Sequence, residues 1–192
     1  MNKNLILSAA VGYNFQQIEF FVKSLRKYYV DDICFIISDT DQELERKLND
    51  HNCDIIKTKI HKEHIQFKRY EIFSKYVDNK NFNSILLCDS TDIYFQNDPF
   101  KFNYDGPINF FLEDHQIKNC PYNSNWIIKT YGKKEFDLIS NKIILCSGTV
   151  LGNYLKIKEY LVGGYRYERS DTRLHRRVGL LGNRYDLDRE NS

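Results

Sequence analysis

The chain has 192 residues and a mass of 23.0 kDa, with 42% hydrophobic and 28% charged residues, which fits a folded domain with its own core and excludes a disordered or collagen-like chain. Its 28 basic and 26 acidic residues leave a net charge of only +2, too balanced for a nucleic-acid binder. Five cysteines at wide, irregular spacing, three of them in apolar runs, read as reduced thiols in a cytoplasmic compartment and not as a disulfide framework.

Residues 5–11, Leu-Ile-Leu-Ser-Ala-Ala-Val, are a short apolar run ending at Gly12, as expected of a strand buried on both faces. The run is too short for a membrane span, as are all the later ones, and it lacks the small-residue cleavage pattern of a secretory signal. Ile18, Phe21, Val22, Leu25, Tyr28 and Tyr29 then recur at helical spacing. A second strand is predicted at Ile33 to Ile37, ending at Ser38-Asp39. Thr40 with Glu43 matches a capping box for a helix through Leu44 and Leu48, and a third strand is predicted over Asp54 to Ile60.

The next helix, His64 to Asn79, buries Ile65, Ile72, Phe73, Tyr76 and Val77, and its stripe includes one cation, Arg69. A fourth strand, Ser84 to Cys88, leads into Asp89-Ser90-Thr91-Asp92 and is expected to continue as Ile93-Tyr94-Phe95. Pro107 to Leu112 reads as a strand, Asn123 to Ser140 as helix broken at Gly132, and Lys142 to Leu151 as a further strand. From residue 161 onward lysine disappears and seven arginines stand with five acids, so 1–160 is expected to form one domain and 161–192 an atypical, weakly packed tail.

Alternating strands and helices predict an α/β, Rossmann-like domain: an open, mostly parallel central sheet with helices on both faces. Ligands of such sheets bind at the carboxyl ends of the strands, which makes Ala9 to Val11, Tyr13, Asp39, Asp89 to Asp92, Glu113-Asp114 and Ser147-Gly148 the positions of interest. The strongest signal is Asp89-Ser90-Thr91-Asp92, with no lysine or arginine adjacent in sequence. Two close carboxylates repel unless they share a cation, and hard oxygen donors suit Mg²⁺ or Mn²⁺ held together with a phosphate; the alternative is a turn in which both aspartates cap backbone amides. Arg69, early in the preceding helix, points at the same edge, either to grip a diphosphate or to form a structural salt bridge with one of the aspartates.

Over about Asn4 to Tyr160 these residues resemble the GT-A class of nucleotide-sugar-dependent glycosyltransferases. The resemblance rests on the opening strand and its small-residue turn, the helix arginine, and Leu86-Leu87-Cys88-Asp89-Ser90-Thr91-Asp92-Ile93-Tyr94-Phe95 running on to Asp98-Pro99-Phe100. It implies a single-domain GT-A fold and an enzyme that moves a sugar from a nucleotide-diphosphate sugar, a UDP-sugar above all, to a hydroxyl of a glycan or other acceptor. By the same resemblance Asp89 and Asp92 correspond to the DxD motif that holds Mn²⁺ or Mg²⁺, in a variant Asp-x-x-Asp spacing that leaves Asp89 either on the metal or on the ribose. Ala9, Ala10, Val11 and Tyr13 then correspond to nucleoside contacts, Asp39 to a contact with base or ribose, and Arg69 to one with the diphosphate or base. Ser90, within the acidic motif, corresponds to a further nucleotide-sugar contact, and Ser147 and Gly148 to the segment that lines the donor-sugar and acceptor region. Glu113 and Asp114 are candidates for a catalytic base or sugar contact; solvated strand-end carboxylates are the alternative. Many members add a late metal ligand; the candidates here, Asp171 and His175, lie in an arginine-rich setting that does not match that pattern. Two other readings compete: a non-catalytic nucleotide-sugar-binding domain, and a Mg²⁺-dependent haloacid dehalogenase-type phosphatase, which would want an aspartate at the end of the first strand.

Overall fold

The computed structural model describes residues 3–104 and 106–169, apart from the side chains of Glu63 and 164–169. The elements follow in chain order: β1 (Leu5–Ala9), α1 (Phe15–Arg26), β2 (Asp32–Ser38), α2 (Gln42–Asp50), β3 (Asp54–Thr58), α3 (Lys62–Val77), β4 (Ser84–Cys88), β5 (Ile108–Gln116), α4 (Pro121–Tyr131), α5 (Lys133–Ile139), β6 (Ile143–Asn153) and α6 (Tyr154–Arg169). The chain is α/β, with a six-stranded sheet in the order β3-β2-β1-β4-β6-β5. The pairs β3-β2, β2-β1 and β1-β4 are parallel, whereas β6 runs antiparallel to β4, opposing Cys88 with Thr149.

Two compact units are distinguished, one taking in Met1–Asn109 and Gly148–Glu168, the other centred on Phe110–Ser147. In the first, β1, β2 and β4 are buried on both faces, which is why they read as continuous apolar runs, whereas the edge strand β3 is partly exposed. Alternate residues go to opposite sides. Ile6, Ile33, Phe35 and Ile37 meet Ile18, Phe21, Val22 and Leu25 of α1 and Leu44 and Leu48 of α2. Leu5, Leu7, Cys34 and Ile36 meet Ile65, Phe73 and Val77 of α3 and Ile157 and Leu161 of α6. The compositional change at residue 161 therefore falls inside a packed helix, and residues 170–192 lie outside the described ones.

Local chemistry sets the ends of these elements. Asn14 and Gln17 form a reciprocal capping box on α1. The cap of α2 is Asp41, which accepts from the Leu44 amide at 3.0 Å, and not Thr40, whose hydroxyl pairs with Ser38 at 3.0 Å. The fourth strand stops at Cys88. Instead of extending the ladder, the Phe95 amide donates to Ser24 Oγ on α1 at 3.0 Å and its ring packs edge-on against Phe21, so 93–95 turns into the core.

Arg26 closes the far side of this unit. Its guanidinium donates to the carbonyls of His51 (2.9 Å), Asn52 (2.6 Å), Asp31 (2.8 Å) and Tyr29 (3.3 Å), tying the end of α2 to the turn before β2. Arg26→Ala is expected to cost about 2 kcal/mol, the scale of hydrogen bonds to a charged group. A denaturant midpoint that does not move would contradict this role.

In the second unit β5 and β6 again run side by side, with the Ile117 amide donating to Lys142 O at 2.9 Å. Pro121 opens α4, where its missing N–H costs nothing, and Gly132 at φ +98° separates α4 from α5. Ser124 Oγ bonds Ile117 O at 2.8 Å and Lys118 Nζ bonds Asn141 at 2.7 Å. Phe110, Phe111 and Leu112 are exposed.

Candidate functional site

The strand order locates the site before any side chain is considered. From β1 the sheet grows through β2 and β3 on one side and through β4 on the other, so the direction of winding reverses between β1 and β4. Loops diverge at such a reversal, and the carboxyl ends of the two flanking strands form a crevice. The two flanking segments are residues 9–13 and 89–92.

Two buried hydroxyls bind these segments together. Ser8 Oγ donates to Cys88 O at 2.8 Å and Ser90 Oγ to Ala9 O at 2.9 Å, so the β1 and β4 exits are held in fixed register beyond the end of their ladder. The Ala10 amide still reaches Ile36 O at 2.8 Å, after which the Tyr13 amide turns back to Ala10 O and Gly12 takes φ +74°. Ala10 and Val11 are buried and Tyr13 is half-buried. Asp39, after β2, is also half-buried, with its amide on Thr58 O at 2.9 Å.

Arg69 comes from the second turn of α3. Its side chain is only 15% exposed, and Nη1 donates to Asp89 Oδ1 at 2.6 Å. The guanidinium also lies 5.4 Å from the Tyr70 ring centre. Burial works against its charge, but Tyr70 and the Asp89 carboxylate outweigh burial, and the Arg69 pKa is raised above its ordinary value. The acidic motif thus has a cationic neighbour supplied from another element.

Gly148 of β6 completes the seat of Asp89. The Asp89 amide donates to Gly148 O at 2.9 Å, and a β-carbon on Gly148 would stand 2.8 Å from Asp89 Cγ, closer than any real contact. The close backbone approach that this glycine permits is therefore that of a carboxylate of the same chain. Asp92 is exposed. Burial, followed by the Asp89 charge, raises the Cys88 thiol, and Asp92 acts in the same direction, so both carboxylates lie within electrostatic reach of one sulfur.

Asp89 and Asp92 offer hard oxygen donors, and among the described residues no three His, Cys, Asp or Glu side chains converge to hold a metal ion. That donor set fits Mg²⁺ or Mn²⁺ shared with a phosphate, since such ions keep waters and take one or two carboxylates beside phosphate oxygens. Asp171 and His175 lie outside the described residues.

The remaining positions belong to the other unit. Glu113 and Asp114 lie within β5, not after its end, because the strand continues to Gln116; both are exposed, and the Asp114 carboxylate contacts His115 Nδ1. Ser147 is exposed at the edge of that unit.

Two neighbours of the site were not singled out by sequence. Tyr70 faces Arg69, and Lys62 Nζ sits 3.7 Å from the Tyr13 ring centre with its stem against Gly12. Only the register of α3 against the β1 loop brings Lys62 there.

No family model matches the sequence, and no curated protein matches it significantly. Among solved structures, similarity is found to glucosyl-3-phosphoglycerate synthase from Mycobacterium tuberculosis in complex with UDP, with a TM-score of 0.47 at 9% identity, covering 79% of this chain and 57% of that one. The same enzyme with Mn²⁺, UDP and glucosyl-3-phosphoglycerate gives a TM-score of 0.46 at 9% identity, with the same coverage. The glycosyltransferase GlyE from Streptococcus pneumoniae gives 0.48 at 19% identity, covering 89% of this chain and 41% of that one. The chain spans little more than half of the first protein and less than half of the second.

Proposed function

We propose that the chain is a glycosyltransferase of GT-A type that binds a nucleotide-diphosphate sugar at the β1/β4 reversal and transfers the sugar to an acceptor hydroxyl. The observation that carries this reading is the placement of Arg69, a mostly buried cation, against the first carboxylate of Asp-x-x-Asp at the point where the sheet reverses. A cation and two carboxylates on one crevice suit an anionic ligand that brings its own dication.

In this reading Arg69 neutralises charge that develops on the leaving diphosphate, an interaction strongest as the glycosidic bond breaks. Asp89 and Asp92 hold the metal and orient it. A bound Mg²⁺ or Mn²⁺ supplies a second positive charge against the diphosphate oxygens. Ala9 and Tyr13 line the nucleoside with the buried Ala10 and Val11 shaping the turn behind them, Asp39 meets base or ribose, and Ser90 keeps the two loops in register. Ser147 and Gly148 stand on the sugar side. If the product inverts, a carboxylate must take the acceptor proton, for which Asp114 and Glu113 are the candidates to test by substitution; if configuration is retained, no such base is needed.

The phosphatase reading finds no support at β1, which ends at Ala9 and is followed by Ala10 where that chemistry wants a nucleophilic aspartate. We place the protein in the cytoplasm. Its cysteines form no disulfide, and burial pushes the Cys34 thiol up to about 12 and that of Cys53 up to about 11. Among the described residues no helix is long and apolar enough to cross a membrane.

Calorimetry with UDP, with and without Mn²⁺, followed by a UDP-sugar hydrolysis assay, tests the reading. The expected result is Mn²⁺-dependent binding followed by turnover; binding without turnover would favour the non-catalytic module, and no binding under either condition would remove both. Asp92→Ala is expected to weaken Mn²⁺-dependent UDP binding by about tenfold or more, the scale of one lost charged contact. Because Asp92 is exposed, its melting temperature should not change. Unchanged affinity would contradict the assignment.

A further inference from the structure

We propose that Arg69 occupies the cation's place at Asp89 until a diphosphate draws it away, so that the chain takes up a divalent cation only together with a nucleoside diphosphate. This rests on the proposed function and concerns the regulation of the same site.

Two observations support it. Asp89 is held on both sides: Arg69 Nη1 lies 2.6 Å from Oδ1, and the carboxylate packs on Gly148, whose missing side chain leaves the room that it fills. Its own amide is tied to Gly148 O at 2.9 Å, which fixes the backbone from which the carboxylate projects.

The electrostatics then act against an isolated cation. A dication approaching Asp89 meets a carboxylate whose charge is already balanced, and it faces the guanidinium across a few ångströms of partly desolvated space, where like charges repel strongly. A diphosphate reverses both effects. It gives the guanidinium a bidentate anion to turn to, and it adds phosphate oxygens that complete the coordination of a hard cation. Asp89 is released from its partner at the moment when the metal has other ligands. The coupling is reciprocal: UDP must tighten Mn²⁺ by the same factor by which Mn²⁺ tightens UDP.

The test is a Mn²⁺ titration, read by the loss of the free-ion electron paramagnetic resonance signal, on the full chain with and without UDP. Wild type, Arg69→Met and Arg69→Lys are compared. Methionine keeps a long stem in the space but removes the charge; lysine keeps the charge. In wild type, UDP is expected to tighten Mn²⁺ at least about tenfold, within the usual range of coupling between two ligands. Arg69→Met is expected to bind Mn²⁺ alone about tenfold better than wild type while binding UDP with Mn²⁺ less well, and Arg69→Lys to stay close to wild type for Mn²⁺ alone. These opposite signs are not produced by a salt bridge that only stabilises the fold.

The proposal is overturned if wild type binds Mn²⁺ alone as tightly as with UDP, or if folded Arg69→Met gains no affinity for Mn²⁺ alone. In either case Mn²⁺-dependent UDP binding by wild type would leave the proposed function standing. Should UDP bind neither with nor without Mn²⁺, both fall together. If Arg69→Met does not fold, Arg69→Gln, which also removes the charge, takes its place, with the same gain in affinity for Mn²⁺ alone expected and its absence overturning the proposal.

Discussion

Asp89→Ala is expected to lower stability by about 3 kcal/mol and to abolish Mn²⁺-dependent UDP binding. The first effect follows from what the substitution leaves behind: a guanidinium 15% exposed would face a methyl group where a carboxylate stood. Breaking a fully buried pair from one side costs about 3–5 kcal/mol. Asp89 is itself 46% exposed, so water reaches the site and the low end of that range applies. Asp89→Asn separates charge from shape, since it keeps the seat on Gly148 and an oxygen facing Arg69. It should recover part of the stability and none of the metal-dependent binding. Urea denaturation and calorimetry on the same preparations measure both. An Asp89→Ala protein as stable as wild type would mean that the pair with Arg69 contributes nothing to the folded state.

Gly148→Val is the second large effect, and it acts through the same carboxylate. The β6 backbone cannot retreat from Asp89, because Thr149 pairs with Cys88 and Val150 with Leu87 in the ladder on β4. A side chain at residue 148 must therefore displace Asp89, whose Cγ would lie 2.8 Å from the new β-carbon. Overpacking of this kind costs about 1–3 kcal/mol, to which the lost contact with Arg69 adds. Donor binding should fall as far as in Asp89→Ala. A double-mutant cycle isolates the cause: with Asp89→Ala already present, Gly148→Val should cost far less, because the obstructing carboxylate is gone. Strictly additive losses would show that the glycine serves some other purpose.

Much of the architecture was legible because each layer leaves its own periodicity. Strands buried on both faces read as short apolar runs, and β4 appears in the structure at the predicted residues, Ser84 to Cys88. The break at Gly132 was visible because only glycine tolerates φ +98° there without strain. Arg69 stood out as a charge in a buried stripe, and it is where the structure brings α3 to the acidic motif. What the sequence withheld depends on contacts far apart in the chain. The order of the sheet and the antiparallel direction of β6 are set by packing that no local pattern records. Ile93 to Phe95 has strand composition, but Ser24 and Phe21 on α1 capture Phe95 first. Glu113 and Asp114 were expected just past a strand because the apolar run ends at Leu112, whereas β5 continues through them as an exposed segment. The same limit hid Lys62, whose place over the Tyr13 ring is decided by how α3 docks.

The most direct measurement is a crystal structure of the chain grown with saturating UDP and Mn²⁺. The expected map has the metal against Asp89 and Asp92, the diphosphate on Arg69, which has left Asp89 Oδ1, and the nucleoside over residues 9–13. A nucleotide bound elsewhere, or an empty crevice with the Arg69–Asp89 pair intact at 2.6 Å, would contradict it.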